Sequence, residues 1–138
     1  MTLWRKHPDS SGLAQPRTFI RVFVAPGELR SAIAFYEKLL GTEHDMYMPM
    51  PSRDGDPRGG LTLAAVGGFL ILEGSPSQLE PFRDTVGTML VDDVEPYLER
   101  LLASGAMVVH PLTQVSVGAG FTVRHPDGTQ IEYVHHRP

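Results

Sequence analysis

A chain of 138 residues, 41% of them hydrophobic, is long enough to bury one sizeable core. Its net charge of −4 argues against a nucleic-acid binder working through a basic face, and the absence of Cys excludes disulfides, thiolate nucleophiles and zinc–sulfur sites. The longest apolar run, Leu61 to Leu72, is too short to span a bilayer and is interrupted by Gly67-Gly68, so the expectation is a soluble, cytoplasmic protein with neither membrane nor nucleic acid as a partner.

Residues 1–17 are polar, broken by Pro8, Gly12 and Pro16, and lack the apolar core of a signal peptide. They predict a flexible N-terminal arm in which Trp4 is the residue suited to dock. Phe19 to Val24 reads as a strand, with Ile20, Val22 and Val24 on one face and Phe19, Arg21 and Phe23 on the other. Pro26-Gly27 breaks it. Leu29, Ala32 or Ile33, Tyr36, Leu39 and Leu40 give Glu28 to Leu40 a helical period, and Gly41 stops it. His44 to Met50 alternates, with His44, Met46, Met48 and Met50 on one side. Residues 49–60 form a loop of the length used for lids and connectors. Leu61 to Val66 and Phe69 to Glu73 are strands joined by a Gly67-Gly68 hairpin, and Ser75 to Pro81 is a connector at the boundary between two halves.

The second half repeats the order. Thr85 to Val91 is a strand, and Asp92 or Asp93 caps a helix with Val94, Tyr97 or Leu98, Leu101 and Leu102 on its apolar face. Gly105 ends it. Ala106 to Val109 is a strand, and Val115 to Val117 starts another that is interrupted by Gly118-Ala119-Gly120. Phe121 to Val134 reads as a hairpin around Pro126-Asp127-Gly128, which is turn chemistry. Beyond the turn, Ile131 and Tyr133 share one face, while Gln130, Glu132 and Val134 share the other. Glu132 then faces either water or a cavity. Each half thus reads strand, helix, strand, strand, strand, and the hairpin ending in Leu72-Glu73 echoes the one ending in Ile131-Glu132. Such a long repeat suggests a duplicated supersecondary unit.

This pattern resembles the vicinal oxygen chelate superfamily, which includes glyoxalase I, fosfomycin-resistance and bleomycin-resistance proteins and extradiol dioxygenases. The resemblance is carried by Ala32-Ile-Ala-Phe-Tyr-Glu-Lys-Leu-Leu-Gly41, by Val91-Asp-Asp-Val94 with Leu101-Leu102, and most specifically by His125-Pro-Asp-Gly-Thr-Gln-Ile-Glu132. It implies an α+β fold within one domain, residues 18–138. Two paired βαβββ modules, about 18–75 and 84–136, would form a curled, cup-shaped sheet of mixed and antiparallel strands with the helices outside. In metal-dependent members a divalent ion sits between residues of the first, fourth, fifth and eighth strands. Those positions fall on Phe19 or Arg21, on Glu73, on Val86 and on Glu132. Two of the four then lack a ligand, so no metal is favoured; a divalent ion, if bound, would rest on Glu73 and Glu132. The six His do not fall on the expected strands, although His136 has the parity of Glu132.

The cup expected from this resemblance is largely apolar. Phe19, Arg21 and Phe23 would line it from the first strand, Met48 from the second, and Phe69 and Ile71 from the fourth. The second half would add Val86, Thr88, Leu90 and Phe121. Such a cavity suits a flat or hydrophobic molecule. The implied function is a small-molecule binding protein, sequestering a hydrophobic or aromatic compound such as an antibiotic or natural product. The alternative is a divalent-metal-dependent lyase, isomerase or dioxygenase. In a metal-free enzyme Glu132 would be the candidate base. A homodimer is expected, with modules paired within one chain or swapped between two.

Overall fold

A computed structural model describes residues 2–50 and 60–138. Two compact units emerge, one from Met1–Lys6 with Phe19–Arg83, the other from His7–Thr18 with Asp84–Pro138. Both place an amphipathic helix on one face of a sheet, and the fold is α+β.

Unit 1 contains β1 (Trp4–Arg5), β2 (Arg17–Val24) from Phe19 on, α1 (Leu29–Leu40), β3 (Met46–Pro49), β4 (Thr62–Val66) and β5 (Phe69–Glu73), with strand order β1-β3-β4-β5-β2. β2 runs parallel to β5, and the other pairs are antiparallel. The β4–β5 turn holds Gly67 at φ 54°, a left-handed conformation that favours glycine. Leu29 and Ile33 of α1 bury against Ala64, Val66 and Ile71, flanked by Val22, Val24, Tyr36 and Tyr47. Strand alternation therefore sends Phe19, Arg21 and Phe23 to the second face, away from α1. The registers Arg21↔Leu70, Phe23↔Leu72, Leu63↔Leu72 and Met48↔Leu63 add Leu70, Leu72, Leu63 and Met48 to that face.

Unit 2 contains β6 (Gly87–Leu90), α3 (Val94–Ala103), β7 (Met107–Val115), β8 (Gly118–Arg124) and β9 (Gln130–His136), in the order β6-β9-β8-β7. Helix α2 (Pro76–Leu79) precedes it in the chain, in unit 1. β6 is parallel to β9; the rest are antiparallel. α3 covers Val91, Ala119, Phe121, Val123 and Tyr133. The second face of unit 2 bears Thr88 and Leu90 opposite Glu132 and Val134, with Thr122 on the far side of Glu132. The Pro126-Asp127-Gly128 turn closes as expected. His125 N–H donates to the Thr129 carbonyl at 2.8 Å, Thr129 N–H donates to Asp127 Oδ1 at 2.9 Å, and Gly128 sits at φ 94°.

The sequence expectations need three adjustments here. The N-terminal segment is tied down rather than loose. Trp4 lies opposite Tyr47 in the β1–β3 ladder, and the buried Ser10 hydroxyl donates to the Val91 carbonyl at 2.7 Å and accepts from His136 N–H at 2.9 Å. A short polar stretch held by single hydrogen bonds has no hydrophobic period to read. The Ser75 to Pro81 connector folds into α2, started by a capping box between Ser75 and Gln78. The strand expected to end at Val109 continues to Val115, with register shifts on either side of His110, near Pro111, which has no N–H for the ladder. Residues 51–59, most of the expected lid, lie outside the described residues. None of the described helices is long and apolar enough to cross a membrane.

Candidate functional site

Glu132 is the centre of the second face of unit 2. It is buried, 8% exposed, with Thr88 and Thr122 as its partners in register on β6 and β8. The Thr88 hydroxyl donates to Glu132 Oε1 at 3.4 Å. A buried carboxylate needs such donors, because desolvating an unpaired charge costs several kcal/mol. Gln130, also buried, donates from Nε2 to Thr85 Oγ1 at 2.9 Å and accepts from Arg124 Nη2 at 2.9 Å. The hairpin turn sets the register that brings Thr122 and Gln130 to the same face as Glu132; sequence reasoning passed over Thr122. Leu90 and Val134 supply the apolar part of this face, both buried.

The second face of unit 1 is apolar by comparison. Phe19 and Met48 are each 2% exposed, and Leu63, Leu70 and Leu72 are buried with them. Arg21 and Phe23 are half-buried, and the Arg83 guanidinium stands 5.6 Å over the Phe23 ring, within cation–π range.

Several expected site residues lie elsewhere. Phe69 and Ile71 face α1: Ile71 is part of that helix's core and Phe69 stacks on Tyr36 at 4.4 Å. Phe121 lies in the core beneath α3, stacked on Tyr133 at 5.2 Å. The reason is parity, since each is one residue out of step with the second face. Val86 precedes β6 and is 58% exposed.

Glu73 is the largest correction. It shares the helix face with Ile71, and its Oε2 accepts N–H bonds from Gly27 at 2.9 Å and Leu29 at 3.1 Å. The N-cap residue of α1, Glu28, makes no capping bond with its side chain. A carboxylate from β5 takes that place, where the helix dipole also favours negative charge. Unit 2 repeats the device with different chemistry. His135, at the end of β9 and on the helix face, accepts the Val94 N–H at the start of α3 on Nδ1 at 3.1 Å. Burial holds the His135 imidazole below its ordinary pKa, favouring the neutral ring, and accepting the Val94 N–H puts its remaining proton on Nε2. The structural counterpart of Glu73 is therefore His135, and Glu132 corresponds to Leu70. The expected sharing of one cavity by Glu73 and Glu132 fails, because each occupies the opposite kind of face in its own unit.

The four superfamily metal positions are poor in donors. Phe19 and Val86 offer no lone pair, and Arg21 is cationic. On β5 the second-face residue next to Glu73 is Leu72, so Glu132 is left as a single donor. His136 shares its parity, yet four residues along a strand is about 13 Å, too far for one ion. Among the described residues no three His, Asp or Glu side chains gather to hold a metal. Among the described residues, the donors at these positions do not fit a divalent ion.

The sequence pattern of the Glyoxalase/Bleomycin resistance protein/Dioxygenase superfamily matches residues 18–133. A comparison with curated proteins gives no match. Among solved structures, an uncharacterized protein from Methanosarcina mazei is 36% identical with a TM-score of 0.75, over 88% of this chain and 92% of that one. Methylmalonyl-CoA epimerase from Mycobacterium tuberculosis is 22% identical with a TM-score of 0.51, over 91% and 93%. A mutant of 4-hydroxymandelate synthase from Streptomyces coelicolor is 18% identical with a TM-score of 0.51, over 89% of this chain and 49% of that one. The last two are similar in fold.

Proposed function

The chain belongs to the Glyoxalase/Bleomycin resistance protein/Dioxygenase superfamily, and from that premise we propose that it is a small-molecule binding protein that sequesters a hydrophobic or aromatic compound without a metal. The observation that carries this reading is the position of Glu73. Its carboxylate is committed to the N-terminus of α1, and the second-face position of unit 1 that corresponds to Glu132 is Leu70. Apolar area does in this protein what a ligand set does in a metal-dependent relative. Burying such area favours binding by about 25 cal/mol per Å² before ordering costs. Phe23 under the Arg83 guanidinium offers a flat ligand one stacking surface. On the second face of unit 2, taken by itself, Glu132 beside the Thr88 hydroxyl offers an acceptor to a ligand there. Among the described residues, no group of three His, Asp or Glu side chains supports metal-dependent lyase, isomerase or dioxygenase chemistry.

The test is a calorimetric or fluorescence screen of planar aromatic compounds, antibiotics included, with and without EDTA. Binding should survive EDTA, and Phe23→Ala should weaken it by about 1–3 kcal/mol. Glu132→Gln should matter less unless the ligand is cationic. If EDTA abolishes binding while Phe23→Ala leaves it unchanged, an ion organises the site and this reading fails. Near-stoichiometric metal in protein purified without a His tag would point the same way.

A further inference from the structure

Unit 1 carries a cavity on the helix side of its sheet. It measures about 340 Å³ and is lined by Arg30, Ile33, Ala34, Glu37, His44 and Tyr47. That volume lies at the lower end of the range for small-molecule sites, about 300–1,000 Å³. The α1 residues recur at intervals of three, four and seven, so they form one stripe along the helix. Arg30 and Glu37 stand at its two ends, about 10 Å apart along the axis. Ile33 and Ala34 make the apolar middle, and Tyr47 of β3 forms the facing wall.

The Glu37 end is already occupied by its own partner. Oε2 accepts the His44 backbone N–H at 2.8 Å and meets His44 Nδ1 at 3.0 Å. These bonds hold the Glu37 carboxyl below the usual carboxylate range, the side-chain bond contributing most. The Trp4 ring packs edge-on against His44 at 5.8 Å, and Trp4 lies opposite Tyr47 in the strand ladder. The negative charge is thus paired within the fold, while the Arg30 guanidinium, at an exposed position, is presented at the other end.

We propose that this cavity is a binding site for a small flat organic carboxylate, whose carboxylate meets Arg30 and whose ring lies between Ile33-Ala34 and Tyr47. The planar fork of arginine matches a carboxylate in a two-point contact that an ammonium group cannot reproduce. The apolar middle favours an organic anion over a fully hydrated inorganic one. The site is independent of the aromatic-compound reading above, because it uses the opposite face of the sheet from Phe23.

The chain has one Trp, Trp4, which places an intrinsic fluorophore beside the cavity. Titrating the protein with sodium benzoate should change Trp4 emission saturably, and calorimetry should give the same affinity. Benzamide, the uncharged counterpart, should bind at least tenfold more weakly. Arg30→Gln should weaken benzoate binding at least tenfold and leave benzamide unchanged. Arg30→Lys, which keeps the charge but loses the fork, should fall between. Phe23→Ala should have no effect, which separates this site from the proposed ligand face. Near-ultraviolet circular dichroism of each variant checks that it is folded. Equal affinity for benzoate and benzamide, full benzoate binding by folded Arg30→Gln, or no saturable benzoate binding would each overturn the proposal.

Discussion

Glu73 reaches across from β5 to accept the Gly27 and Leu29 amides, so the first turn of α1 depends on a residue 44 positions away from Leu29 in sequence. A capping bond of this kind is worth about 1 kcal/mol, with a range of roughly 0.5–2. Glu73→Ala should lower the free energy of unfolding by about that amount in urea titrations, with aromatic-ligand binding unchanged. A role as a ligand-site carboxylate would show the reverse, a binding defect in a protein of normal stability. Glu132 stands in contrast. It is buried on the second face beside the Thr88 hydroxyl and has no helix to cap. Two glutamates in similar hairpins therefore lie on different faces, one capping a helix and one buried beside a threonine hydroxyl.

At the scale of elements, each unit caps its helix from its own last strand, with Glu73 on α1 and His135 on α3. The His135 cap responds to acid. Burial, the leading cause, lowers the pKa of His135 from its ordinary 6.5, so the folded state holds the ring neutral more strongly than the unfolded chain does. Below the ordinary imidazole range the unfolded chain takes up the proton first. Stability is then complete above that range, falls as the pH drops through 6.5 towards the lower folded value, and levels off beneath it. Urea unfolding of the wild-type protein at a series of pH values should show this fall. His135→Gln, which keeps an acceptor but cannot titrate, should flatten it. An unchanged profile in His135→Gln would mean that another group carries the dependence. The Asp93 side chain, which accepts the Glu95 N–H at 3.0 Å, retains part of the α3 cap in either case.

At the scale of the molecule, both units use a strand–helix–three-strand order, and each leaves a sheet face that its helix does not cover. Within unit 2, β7 stands at the end of the strand order and exposes Met107 at 67%, together with Val108, Val109 and Leu112. Exposed apolar side chains on a strand with an unpaired edge favour association, and closed two-fold dimers are the commonest assembly. We expect a homodimer at micromolar concentration in sedimentation velocity, shifted towards monomer by Met107→Lys with Leu112→Lys. A monomer in the wild-type protein would refute this.

Local chemistry determined much of this protein by itself. The spacing of Leu29, Ile33 and Tyr36, the Gly67-Gly68 and Pro126-Asp127-Gly128 turns, and the alternation around Glu132 specify elements whose stabilising contacts lie within a few residues. The family followed from the same motifs. Tertiary structure decided which face each strand residue serves. A side chain's direction reverses with every residue, so the one-residue ambiguity left by the sequence echo was enough to put Phe69, Ile71, Phe121 and Glu73 on the wrong side. It also decided the partners of polar groups. Nothing in the order of residues ties Ser10 to Val91, Glu73 to Leu29, or His135 to Val94, because each bond joins segments brought together only when the sheets form.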